Sequence, residues 1–92
     1  MPVEVRLPTI LRPHAGGEST VETDGATIGE VFRSLTERYP GMKGQLLGDD
    51  GGIRKFVNVY KNDEDVRYLQ ALDTPVSEGD VISILPAVAG GA

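Results

Sequence analysis

Apolar and polar residues alternate over Val3-Glu4-Val5-Arg6-Leu7, and a period of two predicts a strand with one buried face. Pro8 has no N–H to give to a ladder, so the strand ends, bulges or lies at an edge there. Thr9-Ile10-Leu11 are expected to extend it past that break. Arg12-Pro13-His14-Ala15-Gly16-Gly17 has turn chemistry, and the β-prone Ser19-Thr20-Val21-Glu22-Thr23 follows, which together predict an N-terminal hairpin.

The period then changes. Ile28, Val31, Phe32, Leu35 and Tyr39 are spaced i, i+3, i+4, i+7 and i+11, one stripe of a helix whose other face carries Arg33, Ser34, Glu37 and Arg38. Thr27 and Glu30 have capping-box spacing, in which each side chain can satisfy the other residue's backbone N–H. Pro40-Gly41 ends the helix. Residues 42–54 are expected to be a loop with one helical turn around Gln45-Leu46-Leu47. A strand is predicted over Phe56-Val57-Asn58-Val59-Tyr60, a tight turn at Asn62-Asp63 and a short returning strand at Val66-Arg67-Tyr68-Leu69. Turns at Thr74-Pro75 and Ser77-Glu78-Gly79-Asp80 precede Val81-Ile82-Ser83-Ile84-Leu85. That nearly continuous apolar run predicts a strand covered on both faces or central in its sheet.

Hairpin, helix, strand, short hairpin and final strand imply an α+β fold with the helix packed on one face of a mixed sheet and the last strand beside the first: a β-grasp. The expected core is Ile28, Val31, Phe32 and Leu35 against Val5, Val57 and Val59, with Ile82 or Ile84. The domain is expected to span residues 1–85, leaving residues 86–92 as a flexible tail.

Composition narrows the function. The chain has 92 residues, one histidine, no cysteine and no tryptophan, so it offers one domain, no disulfide and no thiolate. No apolar run nears the roughly 20 residues of a membrane span, and MPVEVRLP lacks a signal peptide's apolar stretch, which predicts a cytoplasmic protein. The net charge of −5 disfavours nucleic acid and anionic lipid and implies basic partner surfaces.

Catalytic patterns are scarce. His14 lies in a Pro/Gly turn without the companions of a metal set. Asp63-Glu64-Asp65 fails as a calcium loop, since counting from Asp63 puts Tyr68 where glycine is needed and Thr74 where glutamate is needed. Ser19, Ser34, Ser77 and Ser83 lack a G-x-S-x-G context, and no phosphate-binding glycine motif occurs. Phe56, Tyr60 and Tyr68 could stack bases, but the acidic balance argues against it. No catalytic side chain and no metal site are therefore expected.

The tail is different. After Pro86 come six small, uncharged residues, Ala87-Val88-Ala89-Gly90-Gly91-Ala92. They cannot build a sizeable core contact, but they can enter a narrow channel, where glycine allows close backbone approach. Gly-Gly occurs three times in the chain, so position, not the dipeptide itself, carries the signal. Only Gly90-Gly91 follows a buried strand at the chain's end.

The capped helix, the Asp80-led last strand and the ending Leu85-Pro86-Ala87-Val88-Ala89-Gly90-Gly91 resemble the ubiquitin-like sulfur carriers of the ThiS/MoaD superfamily. Leu7-Pro8-Thr9-Ile10-Leu11-Arg12-Pro13-His14, Phe56-Val57-Asn58-Val59-Tyr60 with Asn62-Asp63-Glu64-Asp65-Val66-Arg67, and Ile84 through Gly91 look most like the CysO-type carriers of actinobacterial cysteine biosynthesis. The resemblance implies a protein cosubstrate, not an enzyme, with no bound cofactor. An E1-like enzyme would use ATP to adenylate the Gly91 carboxylate, and a sulfur donor would then displace AMP to leave a thiocarboxylate. The implied second partner is a pyridoxal-phosphate-dependent cysteine synthase acting on a phosphorylated serine, or another sulfur-accepting synthase, into which residues 86–90 insert. Ala92 blocks the Gly91 carboxylate; it is either the last residue of a proform, removed by a JAMM-type zinc protease, or an addition to the natural end. A monomer is expected. The alternatives are the small subunit of a molybdopterin-synthase-like complex, a ubiquitin-like conjugation tag, and a β-grasp interaction module with an idle tail.

Overall fold

The computed structural model describes residues 2–49, 51–54 and 57–86. Its strands are β1 (Pro2–Arg6), β2 (Thr20–Asp24), β3 (Val57–Lys61), β4 (Glu64–Asp65) and β5 (Val81–Pro86), with helices α1 (Ile28–Arg38) and α2 (Lys43–Leu46). They form one sheet in the order β2-β1-β5-β3-β4. β1 and β5 run parallel, and the remaining neighbours run antiparallel. This is the mixed sheet of a β-grasp, with the last strand central beside the first. Central position explains the apolar run in β5. Its outer face is not covered, because Val81 and Ser83 are half-buried while Ile82 and Ile84 are buried.

The helix forms for the local reasons written in its sequence. The Thr27 hydroxyl accepts from the Glu30 N–H at 3.2 Å. The Glu30 carboxylate reaches back to the Ala26 N–H at 2.9 Å, one residue earlier than the standard box would place it. Ile28, Val31, Phe32 and Leu35 are fully buried against Val3, Val5, Val59, Ile82 and Ile84. Both candidate isoleucines of β5 therefore belong to the core, whereas Val57 is half-buried at its margin. The helical turn of the 42–54 loop is α2, and it brings Met42 and Leu46 into the core.

One predicted strand extension is absent, and the predicted returning strand lies earlier and is shorter. Thr9–Ala15 form a 3-10 helix and do not continue β1. Glu4 N–H donates to the Asp80 carbonyl at 3.3 Å, and parallel ladders repeat every two residues, so residue 8 is the position that would donate to Ile84. Pro8 cannot. The chain turns away, buries Leu11 and Ala15, and stops at Gly16, whose φ of 68° suits glycine. Burial at a spacing of four overrides the β preference of Thr9 and Ile10. Likewise Val66–Tyr68 is a 3-10 turn and β4 is confined to Glu64–Asp65, because the Asp65 carboxylate accepts from the Arg67 N–H at 2.9 Å and draws the backbone out of the ladder.

The β3–β4 turn forms as expected, with Asn62 at a φ of 57°. Asn62 also fixes the start of β5: its N–H donates to the Val81 carbonyl at 2.7 Å and its side-chain oxygen accepts from Val81 N–H at 3.1 Å. The register of the strand that ends at Pro86 is thus held at its origin.

Phe32→Ala should lower unfolding free energy by about 3–5 kcal/mol, because the helix cannot collapse into so large a void. Tyr68→Ala, at an 88% exposed side chain, should change it by less than about 0.5 kcal/mol in the same denaturant titration.

Candidate functional site

The site begins where β5 ends. Pro86 is the last residue of β5 and pairs with Val57 of β3, so the root of the tail is a laddered strand up to its final residue. The candidate tail residues Ala87, Val88, Ala89, Gly90, Gly91 and Ala92 lie outside the described residues. Because β1 and β5 are parallel, the tail leaves the sheet at the end where β1 gives way to the 3-10 helix.

Arg67 braces that end. Its guanidinium donates to the Asn58 side-chain oxygen at 2.8 Å and to the carbonyls of Arg54 at 2.9 Å and Val57 at 2.5 Å. It thereby ties the turn after β4 to the first residues of β3, directly beside the Val57–Pro86 pair. Nothing in the periodicity marks this residue. Only the 3-10 turn, which carries residue 67 back along β3, brings it there.

On the other side of β5 the departure of β1 leaves a groove of ≈ 580 Å³, lined by Arg6, Leu7, Pro8, Ile10, Arg12 and residues 83–86. Ile10 is 62% exposed and Leu85 46%, two of the few large apolar side chains open to solvent. Arg12 donates to the Leu7 carbonyl at 3.3 Å, and Arg6 pairs with Glu4 at 2.9 Å on the open surface. The opposite end of the sheet carries Asp24, Glu64 and Asp80. The groove beside the tail root is thus flanked by two arginines, one of them paired with Glu4, while at the far end Lys61 lies 3.9 Å from Asp80.

The side chains considered for chemistry do not converge. His14 is exposed in the 3-10 helix and lies so close to Gly41 that a Cβ there would strike its ring. Among the described residues no group of three or more His, Cys, Asp or Glu is placed to hold a metal ion. Tyr60 is half-buried in β3 and Tyr68 stands alone in its turn, so they form no stacking platform; Phe56 lies outside the described residues. Among those residues, too, no helix is long and apolar enough to cross a membrane.

A β-grasp sheet whose central strand leads straight into a Gly-Gly tail defines the ubiquitin-like class of protein. Within that class, the ThiS family profile matches residues 5–91, a span that includes Gly91 and stops short of Ala92. The chain belongs to the ThiS family. It is 47% identical to the sulfur carrier protein CysO of Mycobacterium tuberculosis, over 99% of this chain and 100% of the relative. It is also 39% identical to small archaeal modifier protein 3 of Haloferax volcanii, with the same coverage. Among solved structures it superposes on a chain of the Amycolatopsis orientalis BexX/CysO complex with a TM-score of 0.89 at 48% identity, covering 97% of this chain and 99% of that one. The crystal structure of M. tuberculosis CysO gives 0.89 at 45% identity, with 94% and 99% covered.

Arg67→Ala should destabilise the domain by on the order of 1 kcal/mol, since its bonds are made near solvent. Hydrogen exchange should show the loss at Val57 and Asn58, with the β1–β2 hairpin unchanged. Equal protection at both places in the variant would contradict the bracing role.

Proposed function

We propose that this chain is a sulfur carrier whose reactive group is the C-terminal carboxylate of Gly91. The observation that carries the reading is the match to the ThiS family through Gly91, together with full-length similarity to CysO. A carboxylate oxygen of Gly91 attacks the α-phosphorus of ATP and pyrophosphate leaves. A sulfur donor then attacks the acyl carbon, and AMP leaves with the bonding electrons. The product –COS⁻ is a soft nucleophile at the end of the chain. An E1-like enzyme supplies the adenylation, and the carrier contributes only its backbone terminus. It acts as a cosubstrate.

Further details rest on the same similarity. The receiving enzyme is a pyridoxal-phosphate-dependent cysteine synthase or another sulfur-accepting synthase, into which residues 86–90 extend. A CysO relative has been crystallised in a complex with BexX, which supports delivery by docking. The setting is the cytoplasm. Ala92 must be removed first, by a zinc-dependent protease of the JAMM type, because an amide at Gly91 leaves no carboxylate to activate. The similarity to an archaeal modifier protein supports a second reading, a conjugation tag joined to lysines through Gly91. A relative at 31% identity over 67% of this chain is a molybdopterin synthase sulfur carrier subunit, which gives less support to a permanent small-subunit role.

Intact mass should separate these readings. With an E1-like enzyme, ATP and sulfide, the chain ending at Gly91 should exchange one oxygen for sulfur, and the chain ending at Ala92 should not change. Sulfur gained by the Ala92 form would refute the processing step. Isopeptide adducts without any sulfur-bearing species would favour the tag.

A further inference from the structure

The sheet has two edges, and they differ in length. β4 offers two residues at one edge, whereas β2 presents five at the other. The unpaired N–H and C=O groups of an edge strand invite another chain to add a strand. Leu7 N–H donates to the Ser19 carbonyl at 2.8 Å, which sets the phase of the β1–β2 ladder. In that phase Val21 and Thr23 bond to β1, and the backbone groups of Thr20, Glu22 and Asp24 point outward.

Two of these outward carbonyls are taken by side chains of α1. The Ser34 hydroxyl donates to the Asp24 carbonyl at 2.9 Å, and the Arg38 guanidinium donates to the Glu22 carbonyl at 2.8 Å. The spacings agree. Four residues of helix rise about 6 Å and two residues of strand about 6.7 Å, so antiparallel rows of donors and acceptors match. Arg38 is steadied by its neighbour: its guanidinium lies 4.9 Å from the centre of the Tyr39 ring and donates to the Tyr39 hydroxyl at 3.1 Å. These side chains span a groove of ≈ 570 Å³ along the edge, lined by Pro2, Glu22, Asp24, Ser34, Glu37 and Arg38.

We propose that Ser34 and Arg38 form an edge guard, which keeps β2 from pairing with β2 of a second copy of this chain. A second copy brings an identical edge at the protein's own concentration. Laid antiparallel on its own image about Glu22, β2 sets Thr20 opposite Asp24 and so pairs along its whole length. Each guard bond occupies an acceptor that the added strand would use, so pairing must break both bonds in both copies. Like charge adds a further barrier, since that register sets Glu22 against Glu22. β4 needs no such device, because a very short edge strand is itself a protection. The guard's role does not depend on the chemistry of the tail.

The test is sedimentation equilibrium in about 1 M salt, where the Debye length is about 3 Å and the acidic edge is screened. The parent chain should stay monomeric to about 1 mM, as should Ser34→Thr/Arg38→Lys, which keeps both donors. Ser34→Ala/Arg38→Met removes both donors and should dimerise with a dissociation constant about tenfold or more below that concentration. Loss of Arg38 makes the net charge of −5 more negative, so relief of charge cannot produce this dimer. On dimerisation, hydrogen exchange should slow at Glu22 and Asp24 and stay unchanged at Glu64 and Asp65. A double variant no more associated than the parent would overturn the guard. So would a parent already dimeric through β2, or a variant dimer that gains protection elsewhere than β2. If the double variant melts below the assay temperature, Arg38→Met alone decides between the same outcomes, because it leaves the buried stripe of α1 intact.

Discussion

The parallel pairing of β1 with β5 is the constraint on which the remainder of the structure depends. A parallel pair cannot be closed by a hairpin, so the chain between them must cross over, and the crossover is the rest of the protein. β2 folds back on one side of the pair, β3 and β4 form on the other, and α1 covers the shared face with Phe32 at its centre. The same pairing fixes polarity. Because β5 runs in the direction of β1, the C-terminal segment emerges at one defined end of a rigid sheet, secured at its origin by Asn62 and at its exit by the Val57–Pro86 pair.

That arrangement suits a protein whose chemistry is carried by its main chain. A side-chain nucleophile needs a base and an orienting group in a fixed pocket, whereas a reactive chain terminus needs neither. An activated C-terminal carboxyl needs a stable body, a short arm and the absence of competing nucleophiles. The lack of cysteine, which first looks like a lack of function, fits this last requirement: under the proposed function, the chain has no thiol that could intercept an acyl-adenylate at Gly91.

The helix and the central strand could be read from the sequence because local and tertiary preferences agree there. Thr27, Glu30 and the stripe from Ile28 to Leu35 satisfy capping and burial at once, and the apolar run of β5 follows from its place in the sheet. The failures occur where they conflict. Thr9 and Ile10 favour strand, yet Pro8 withdraws the ladder and Leu11 gains a buried site; at Val66 the Asp65 carboxylate diverts the backbone. Half of the site was hidden for the same reason. The tail and Gly91 stand out in sequence, but the groove depends on where β1 stops, and the brace on where the turn carries Arg67. Net charge says nothing of where the charges lie. Averaged over the chain it is acidic, while the three arginines 6, 12 and 67 gather where the tail begins.

The central claim is that the reactive atom belongs to the backbone of Gly91 and to no side chain. Fragment-ion mass spectrometry of the carrier, isolated after turnover with labelled sulfide, locates the sulfur directly. The account predicts the oxygen-to-sulfur mass difference in every fragment containing Gly91 and in none that ends before it. Label in a fragment lacking Gly91, or labelling that survives removal of Gly90-Gly91-Ala92, would contradict it.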